Sequence, residues 1–533
     1  MKKIFLLPLF AALAFTGCSS DEEVINQEAS GNKEYGYVAV NIVQPTSISK
    51  RDASSGFEYG SNEENEAKTG LFFIFDDSGN KVGNAKEVVL SGEGTGNSPE
   101  VERIYNAVLV IDGLDGNKPT TTKQIVCILN APSGLTDASI STLSDLEGQI
   151  ADYSISNPGA FIMTNSVYKD NGTKVLGTTI LDENIVNSAE AALNNPVDIY
   201  VERVVAKVRA NSTASFDNQG ASITVGGETQ TLTIKVTGIE IANIAQTSYL
   251  FKNITDINKE WTWVWDATNK RSYWEIIPST MTYGNKSYEN IVNDSKPESG
   301  DFNINNVTSF SQYIQPNTSE QKTAVLVTAE LYNGTDPYDF VYLRGGYFTP
   351  KGALALIADY VANNGYWKKT ASGYSQLDTP DFEWENKIDN PSLTWLESYE
   401  VVAKVNDGVE MYKKDGDNYT QVELTEVNSL LSGDAENHPY VAQYYKDGKC
   451  YYFVNIDQSS VAGAGVKAHT YDGVVRNHIY ALTLTSIKGI GTPVFDPKDV
   501  IIPDRPKDEE LWYLSARVNV LAWRLVKQTV DFE

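Results

Sequence analysis

The chain has 533 residues, room for two to four domains at about 100–200 residues each and for a core that needs no metal or disulfide staple. Forty-three Lys and Arg stand against 70 Asp and Glu, a formal net charge of −27, whose field repels phosphate backbones and excludes nucleic acid as a partner. Only 3 His and 3 Cys are present, too few for most His- or Cys-based catalytic and zinc sites.

In chain order, Lys2 and Lys3 precede an apolar stretch over 4–15 that has signal-peptide length and is too short for a good membrane span. It ends in Thr16-Gly17-Cys18. Small residues followed by a cysteine resemble a bacterial lipobox, so Cys18 is the expected lipidation site and residues 1–17 the signal peptide. The acidic run Ser19-Ser20-Asp21-Glu22-Glu23 is similar to the export tag of surface lipoproteins in Bacteroidetes-type bacteria. No later apolar run reaches spanning length, so the expected membrane attachment is the precursor's lipid alone.

Tyr35, Tyr37, Ala39 and Asn41 alternate with Val38, Val40 and Ile42, a strand pattern. Residues 45–55 follow as a polar, small-residue stretch with one basic pair, Lys50-Arg51. Apolar runs of strand length then recur over 71–75, 108–111, 125–129, 199–208, 232–241, 325–332 and 451–456. Asp77-Ser78-Gly79-Asn80, Lys414-Asp415-Gly416-Asp417 and Lys446-Asp447-Gly448-Lys449 read as hairpin turns, because Gly, Asn and Asp accept positive φ. Helical periodicity is confined to Ile140, Leu143, Leu146 and Ile150, and to Leu354, Ile357, Tyr360 and Val361 ahead of Gly365. Such a chain is expected to be all-β, built as sandwiches. The polar stretch 211–227 is the expected domain boundary, 285–319 a long surface excursion, and 496–510 a linker.

In the C-terminal segment Leu514, Ala516, Val518 and Val520 alternate with Ser515, Arg517 and Asn519. Beyond Trp523, Val526, Gln528, Val530 and Phe532 alternate with Lys527, Thr529, Asp531 and Glu533. Fully extended, residues 513–533 would reach about 65–70 Å at ~3.3 Å per residue, where about 5–6 residues is the usual strand.

Site chemistry is sparse. Gly92-Glu93-Gly94-Thr95-Gly96 lacks a following helix pattern and a Lys-Ser/Thr pair, so it reads as a hairpin loop and not a phosphate cradle. Asp415-Gly416-Asp417-Asn418 lacks EF-hand spacing. His438, His469 and His478 are too far apart to pair as ligands and are expected on the surface or a strand face. Cys127 and Cys450 lie in apolar strands and read as buried thiols. No catalytic, cofactor-binding or metal site is expected, and no enzymatic activity. Tyr and Trp are abundant enough to line a sugar groove, although in a β protein they more often fill cores. A carboxylate pair for glycoside hydrolysis has no fixed spacing to search for.

Six segments, taken in order, resemble the fimbrillins of Bacteroidales, in particular the stalk subunits of Mfa-like short fimbriae. They are Phe57-Glu58-Tyr59-Gly60-Ser61-Asn62-Glu63-Glu64-Asn65; Val126-Cys127-Ile128-Leu129-Asn130; Phe161-Ile162-Met163-Thr164-Asn165-Ser166; Val201-Glu202-Arg203-Val204-Val205-Ala206-Lys207-Val208; Val474-Val475-Arg476-Asn477-His478-Ile479-Tyr480; and Val518-Asn519-Val520-Leu521-Ala522-Trp523. Ala522 departs from the Pro common there, and 285–378 matches poorly.

The resemblance implies an all-β chain of two transthyretin-like β-sandwich domains with a few short helices, plus an extended C-terminal donor strand. The implied divisions are a lipoprotein signal (1–17), a propeptide with a removable first strand (18–51), sandwiches over 52–215 and 216–505, and a donor segment (506–533). It implies a precursor lipoprotein of the outer membrane, cut by a trypsin-like or Arg-specific protease at Lys50-Arg51. The matured subunit then gives its C-terminal strand to the next one, with Leu514, Ala516, Val518, Val520, Trp523, Val526, Val530 and Phe532 as donor anchors. The implied partners are copies of itself, head to tail in a homopolymer on the cell surface, and anchor and tip subunits. Two other readings fit the composition: a monomeric surface lipoprotein that binds glycans, and a lipid-anchored glycoside hydrolase.

Overall fold

The computed structural model describes residues 34–45, 58, 60–94, 101–114, 123–151, 158–212, 220–279, 282–295, 310–386, 400–432, 440–458, 472–501, 512–521 and 525–527. Cys18, Lys50, Arg51, Trp523, Val530, Phe532, His438 and His469 lie outside the described residues.

The architecture is all-β with short helices, in two sandwich systems. In the first, the hydrogen-bonded path runs Lys86–Val89, Thr69–Asp76, Lys123–Leu129, Met163–Asn165, Val197–Arg203, Glu34–Pro45, Val101–Leu114, Ser91–Gly94. Val197–Arg203 is the corner. Its first half pairs with Glu34–Pro45 and its second half with Met163–Asn165, so the path passes from one layer to the other. Val38, Val40, Ile42, Leu109 and Ile111 from one layer share a core with Phe72, Ile74, Ile125 and Cys127 from the other. Thr69–Asp76 and Lys123–Leu129 are covered on both faces. Phe73, Phe75, Val126 and Ile128 enter a second core, which explains runs that are continuously apolar rather than alternating.

The second system packs a five-stranded sheet against a large one. The five-stranded sheet is ordered Phe310–Ile314, Ala206–Ser212, Ile479–Gly489, Trp512–Leu521, Leu525–Lys527. Val208, Leu482, Leu484 and Ile487 from it meet Ile234, Ile241, Val325, Val327 and Cys450 from the other. Helices Pro350–Asn363 and Leu424–Ser432 add a further layer through Ile357, Val361, Val427 and Leu431. Pro350–Asn363 follows its sequence signals: Thr349 Oγ1 accepts from Gly352 N–H, Pro350 sits in the first turn, and Gly365 takes φ +80° just past the end.

Several expectations need correction. The handover between the two systems falls at Val204-Val205, not within 211–227, because Ala206–Ser212 already belongs to the second system. Both valines are fully buried, so this boundary is a packed crossing with no polar linker. The described parts of 285–319, residues 285–295 and 310–319, are packed rather than a surface excursion. Asn285 caps the Asn243 N–H at 2.7 Å, Tyr288 and Ile291 are buried, and Asn317 is fully buried and bonds three partners. Their polar side chains satisfy backbone groups instead of water. Of the expected linker, Ile501 is buried and its N–H bonds Lys286 O at 3.0 Å, so the part up to 501 is packed. Ile150 is exposed, outside the short helix Leu143–Glu147. His478 is buried, not on the surface, with Nδ1 2.7 Å from Arg476 O.

Lys414-Asp415-Gly416-Asp417 does turn a hairpin, with Asp415 paired to Asn418. The turn at Lys446-Asp447-Gly448-Lys449 joins strands that do not pair with each other: Ala442–Tyr445 lies beside Phe340–Leu343, and Lys449–Asn455 beside Ala324–Asn333. Gly448 (φ +67°) presses on the Leu331 backbone, where a side chain has no room. Cys127 and Cys450 are free thiols in separate cores, so they do not pair.

Candidate functional site

The first strand, Glu34–Pro45, is interior to its sheet. It runs parallel to Val197–Arg203 (Val40 opposite Val197, Ile42 opposite Ile199) and antiparallel to Val101–Leu114 (Ala39 opposite Val108, Ile42 opposite Tyr105). Val38, Val40 and Ile42 are 0–1% exposed on the core side. Ala39, on the other face by alternation, is equally buried, and helix Ala189–Leu193 packs over this strand. Each such aliphatic contributes about 1.5–3 kcal/mol, so emptying this position would open a slot with three apolar pockets and two unpaired backbone edges. The flanking strands run in opposite directions. An incoming strand of either polarity therefore finds one parallel and one antiparallel partner, and the pockets must set its register.

The C-terminal segment occupies an edge. Trp512–Leu521 pairs antiparallel with Ile479–Gly489 of the same chain, and Leu525–Lys527 turns back on it with Asn519 opposite Lys527. The single extended strand expected over 513–533 is thus a hairpin where it is described. A lone strand would leave its backbone N–H and C=O groups unmatched, and folding back on the same chain pairs them. Leu514, Ala516, Val518 and Val520 lie opposite Ile487, Leu484, Leu482 and Tyr480, all buried. Arg517 and Asn519 lie opposite Thr483 and Ala481. Val526 is on the returning strand, opposite Val520.

Residues 443–529 match the family model of major fimbrial subunit protein type IV, fimbrillin, C-terminal. Over this segment the chain is similar to the C-terminal part of the fimbrillins. Among solved structures, a candidate cell adhesion protein of Parabacteroides distasonis is similar at 12% identity, with 94% of this chain and 99% of that one covered and a TM-score of 0.41. A candidate cell adhesion protein of Bacteroides eggerthii is similar at 11% identity, covering 93% and 98%, with a TM-score of 0.34. The fimbrial anchor protein of Porphyromonas gingivalis is similar at 9% identity, covering 55% and 77%, with a TM-score of 0.24. No curated protein matches significantly.

Three of the six segments that carry the fimbrillin resemblance, 57–65, 201–208 and 474–480, meet where the two sandwiches adjoin. Arg203 Nε donates to Glu64 O at 2.8 Å and Nη1 to Asn477 Oδ1 at 3.1 Å, while Asn477 N–H donates to Val205 O at 2.7 Å. Lys207 Nζ lies 2.6 Å from Glu64 Oε1, and the Tyr313 hydroxyl donates to the same oxygen at 2.5 Å. Deeper in, Lys252 pairs with Glu202 at 2.8 Å and Arg476 with Glu275 at 2.8 Å, all four at most 2% exposed. Burial pushes the Glu202 carboxyl up and the Lys252 ammonium down from their ordinary values, each against the pull of the other's charge. None of these pairs was read as such from the sequence. The available signal was charge inside apolar strands: Glu202 and Arg203 between Val201 and Val204, and Arg476 after Val475.

Burial also pushes the Glu64 carboxyl up, but the Lys207 ammonium, the Tyr313 hydroxyl and the Ser61 N–H outweigh it and hold the group below the usual carboxylate range. The unfolded state therefore takes up this proton more readily than the folded one. The stabilisation is complete above the ordinary carboxylate range and lost as pH falls through the lowered folded value. Glu64→Gln is expected to cost about 1–3 kcal/mol near neutral pH and less in acid. Urea midpoints at the two pH values check this, and an equal loss at both would remove Glu64 as a source of acid sensitivity.

Among the described residues no group of three or more His, Cys, Asp or Glu is placed to hold a metal ion. No helix among them is long and apolar enough to cross a membrane.

Proposed function

We propose that this chain is the shaft subunit of a cell-surface fimbria, exported as a lipoprotein on Cys18, matured at Lys50-Arg51 and polymerised by strand exchange. The observation that carries the reading is the interior seat of Glu34–Pro45 between two strands. Cutting the chain after Arg51 frees this strand from the rest of the sheet, and its departure creates a slot that only another strand can refill. The body behind the cut is tied down: Arg209 donates to both carboxylate oxygens of Glu58 at 2.8 Å, and Glu64 is anchored as described.

The C-terminal strand is the proposed refill. Its edge position supports this, because an edge hairpin can leave without breaking an interior ladder. Leu514, Ala516, Val518 and Val520 repeat every second residue, as do Val38, Val40 and Ile42, and Trp523, Val526, Val530 and Phe532 extend the apolar series as further anchors. Pairing in the slot supplies affinity and the pockets supply register. A head-to-tail contact of this kind does not close, so it extends into a filament. Anchor and tip subunits and an Arg-specific or trypsin-like protease are the implied partners; the subunit itself performs no catalysis and binds no cofactor.

Lys50→Ala with Arg51→Ala tests the switch. The variant is expected to accumulate as a full-length folded monomer, with at least the thermal stability of the cleaved form, because the slot stays filled. N-terminal sequencing of surface protein and electron microscopy read the outcome. Normal filaments from this variant would place the switch elsewhere.

A further inference from the structure

The small sheet Gly373–Ser375, Tyr366–Thr370, Met411–Asp415, Asn418–Val422 has two unlike faces. One, carrying Tyr366 and Met411, packs on the core beneath helices Pro350–Asn363 and Leu424–Ser432. The register puts Trp367, Lys369, Tyr374, Tyr412, Lys414 and Tyr419 together on the other. The sheet curls so that Tyr374 and Tyr419, from its two outer strands, stack at 4.0 Å with 4° between their planes. Trp367 stands edge-on to Tyr419 at 5.8 Å, and Tyr374 edge-on to Tyr412 at 4.9 Å. Two lysines rim this pad. Lys369 Nζ lies 5.4 Å from the Tyr374 ring centre, and Lys414 Nζ lies 4.6 Å over Trp367.

Both lysines are exposed, and neither makes a salt bridge among the described residues. In a chain with 27 more acidic than basic side chains, these two cations stand beside half-exposed rings, with the exposed carboxylates of Asp415 and Asp417 in the adjoining turn. The position of the lysines over rings holds them in place without cancelling their charge.

We infer that this face is a binding site for an acidic polysaccharide. A pyranose offers an apolar C–H face that lies on aromatic rings and hydroxyls at its rim, while a uronate carboxylate on the same sugar meets a lysine at the edge. An acidic peptide would need the cations but not the rings. The inference goes beyond the assembly reading and does not depend on it, since these strands form a sheet separate from those that hold Glu34–Pro45 and the C-terminal hairpin.

The test is titration of the purified full chain, followed by Trp fluorescence and affinity electrophoresis, with hyaluronan, neutral dextran and poly-glutamate. Hyaluronan is expected to bind at least about tenfold more tightly than either control. Lys369→Ala with Lys414→Ala should weaken hyaluronan by about tenfold or more and leave the thermal midpoint unchanged, both side chains being exposed. Trp367→Ala should weaken it as well. Three results would overturn the inference: no hyaluronan binding, equal binding of poly-glutamate, or equal hyaluronan binding by the double-lysine variant. Lateral self-association abolished by the lysine substitutions, in place of hyaluronan binding, would identify a second copy as the occupant and overturn it too.

Discussion

Arg476→Met is expected to lower stability by about 3–5 kcal/mol, because it leaves the Glu275 carboxylate buried without its counter-charge. The Arg476 backbone N–H donates to Glu275 Oε1 at 2.8 Å and Nε to Oε2 at 2.9 Å, while Nη1 and Nη2 donate to the Leu250 and Tyr249 carbonyls at 2.9 and 2.7 Å. With 0% exposure at Arg476 and 1% at Glu275, water cannot replace the lost partner. Arg476→Lys keeps the charge but not the fork that reaches two carbonyls and a carboxylate together, so it should fall between Met and wild type. The double variant Arg476→Met with Glu275→Leu should recover part of the loss. The remainder belongs to the two carbonyls and the residue-476 N–H left unmet. Urea unfolding followed by Trp fluorescence measures all three. If Arg476→Met cost under about 1 kcal/mol, the pair would be no more than a surface-like contact.

The second large effect concerns polymerisation. Val518→Asp should abolish filament extension, while Arg517→Asp should be tolerated. In the cis hairpin Val518 is paired with Leu482 and Arg517 with Thr483; because Val518 is a proposed slot anchor, an aspartate there would bury an unpaired carboxylate in the neighbour's slot at a cost of several kcal/mol. Because the strand pairs in cis, alternation in monomer stability alone does not identify a donor. Mixing does. A Val518→Asp subunit matured at Arg51 has an open slot and a crippled strand, so it should accept a wild-type donor and end the filament. Filament length in electron micrographs should then fall as the mutant fraction rises. Unchanged lengths, or equal effects of the two substitutions, would make 512–521 an ordinary internal strand.

All-β class, the strands over 71–75, 125–129 and 325–332, the helix ended by Gly365 and the Asp415 hairpin were legible in the sequence. Each rests on local chemistry: side-chain period, turn residues that accept positive φ, and caps. The apolar-polar alternation of 514–520 is legible for the same reason, and the cis ladder pairs its apolar positions with Ile487, Leu484, Leu482 and Tyr480.

What the sequence could not supply is which strand pairs with which. Period-two alternation says that a strand has two faces, not who its neighbours are. Hence Glu34–Pro45 proved interior, with one parallel and one antiparallel partner, and Trp512–Leu521 with Leu525–Lys527 proved to be a hairpin at one side of its own chain's sheet. Polarity misled in the same way. Asn-rich 285–319 and the start of 496–510 read as solvated, yet Asn285, Asn317 and Ile501 complete hydrogen bonds that packing leaves open. The buried charges at the junction are the extreme case. Glu202, Lys252, Glu275 and Arg476 are separated by up to 274 positions (202 to 476), and only the meeting of two sandwiches brings them within 2.8 Å of their partners. Local sequence fixes period and turn chemistry because these depend on residues a few positions apart. Pairing and burial of charge depend on contacts across the chain, and those exist only once tertiary structure has formed.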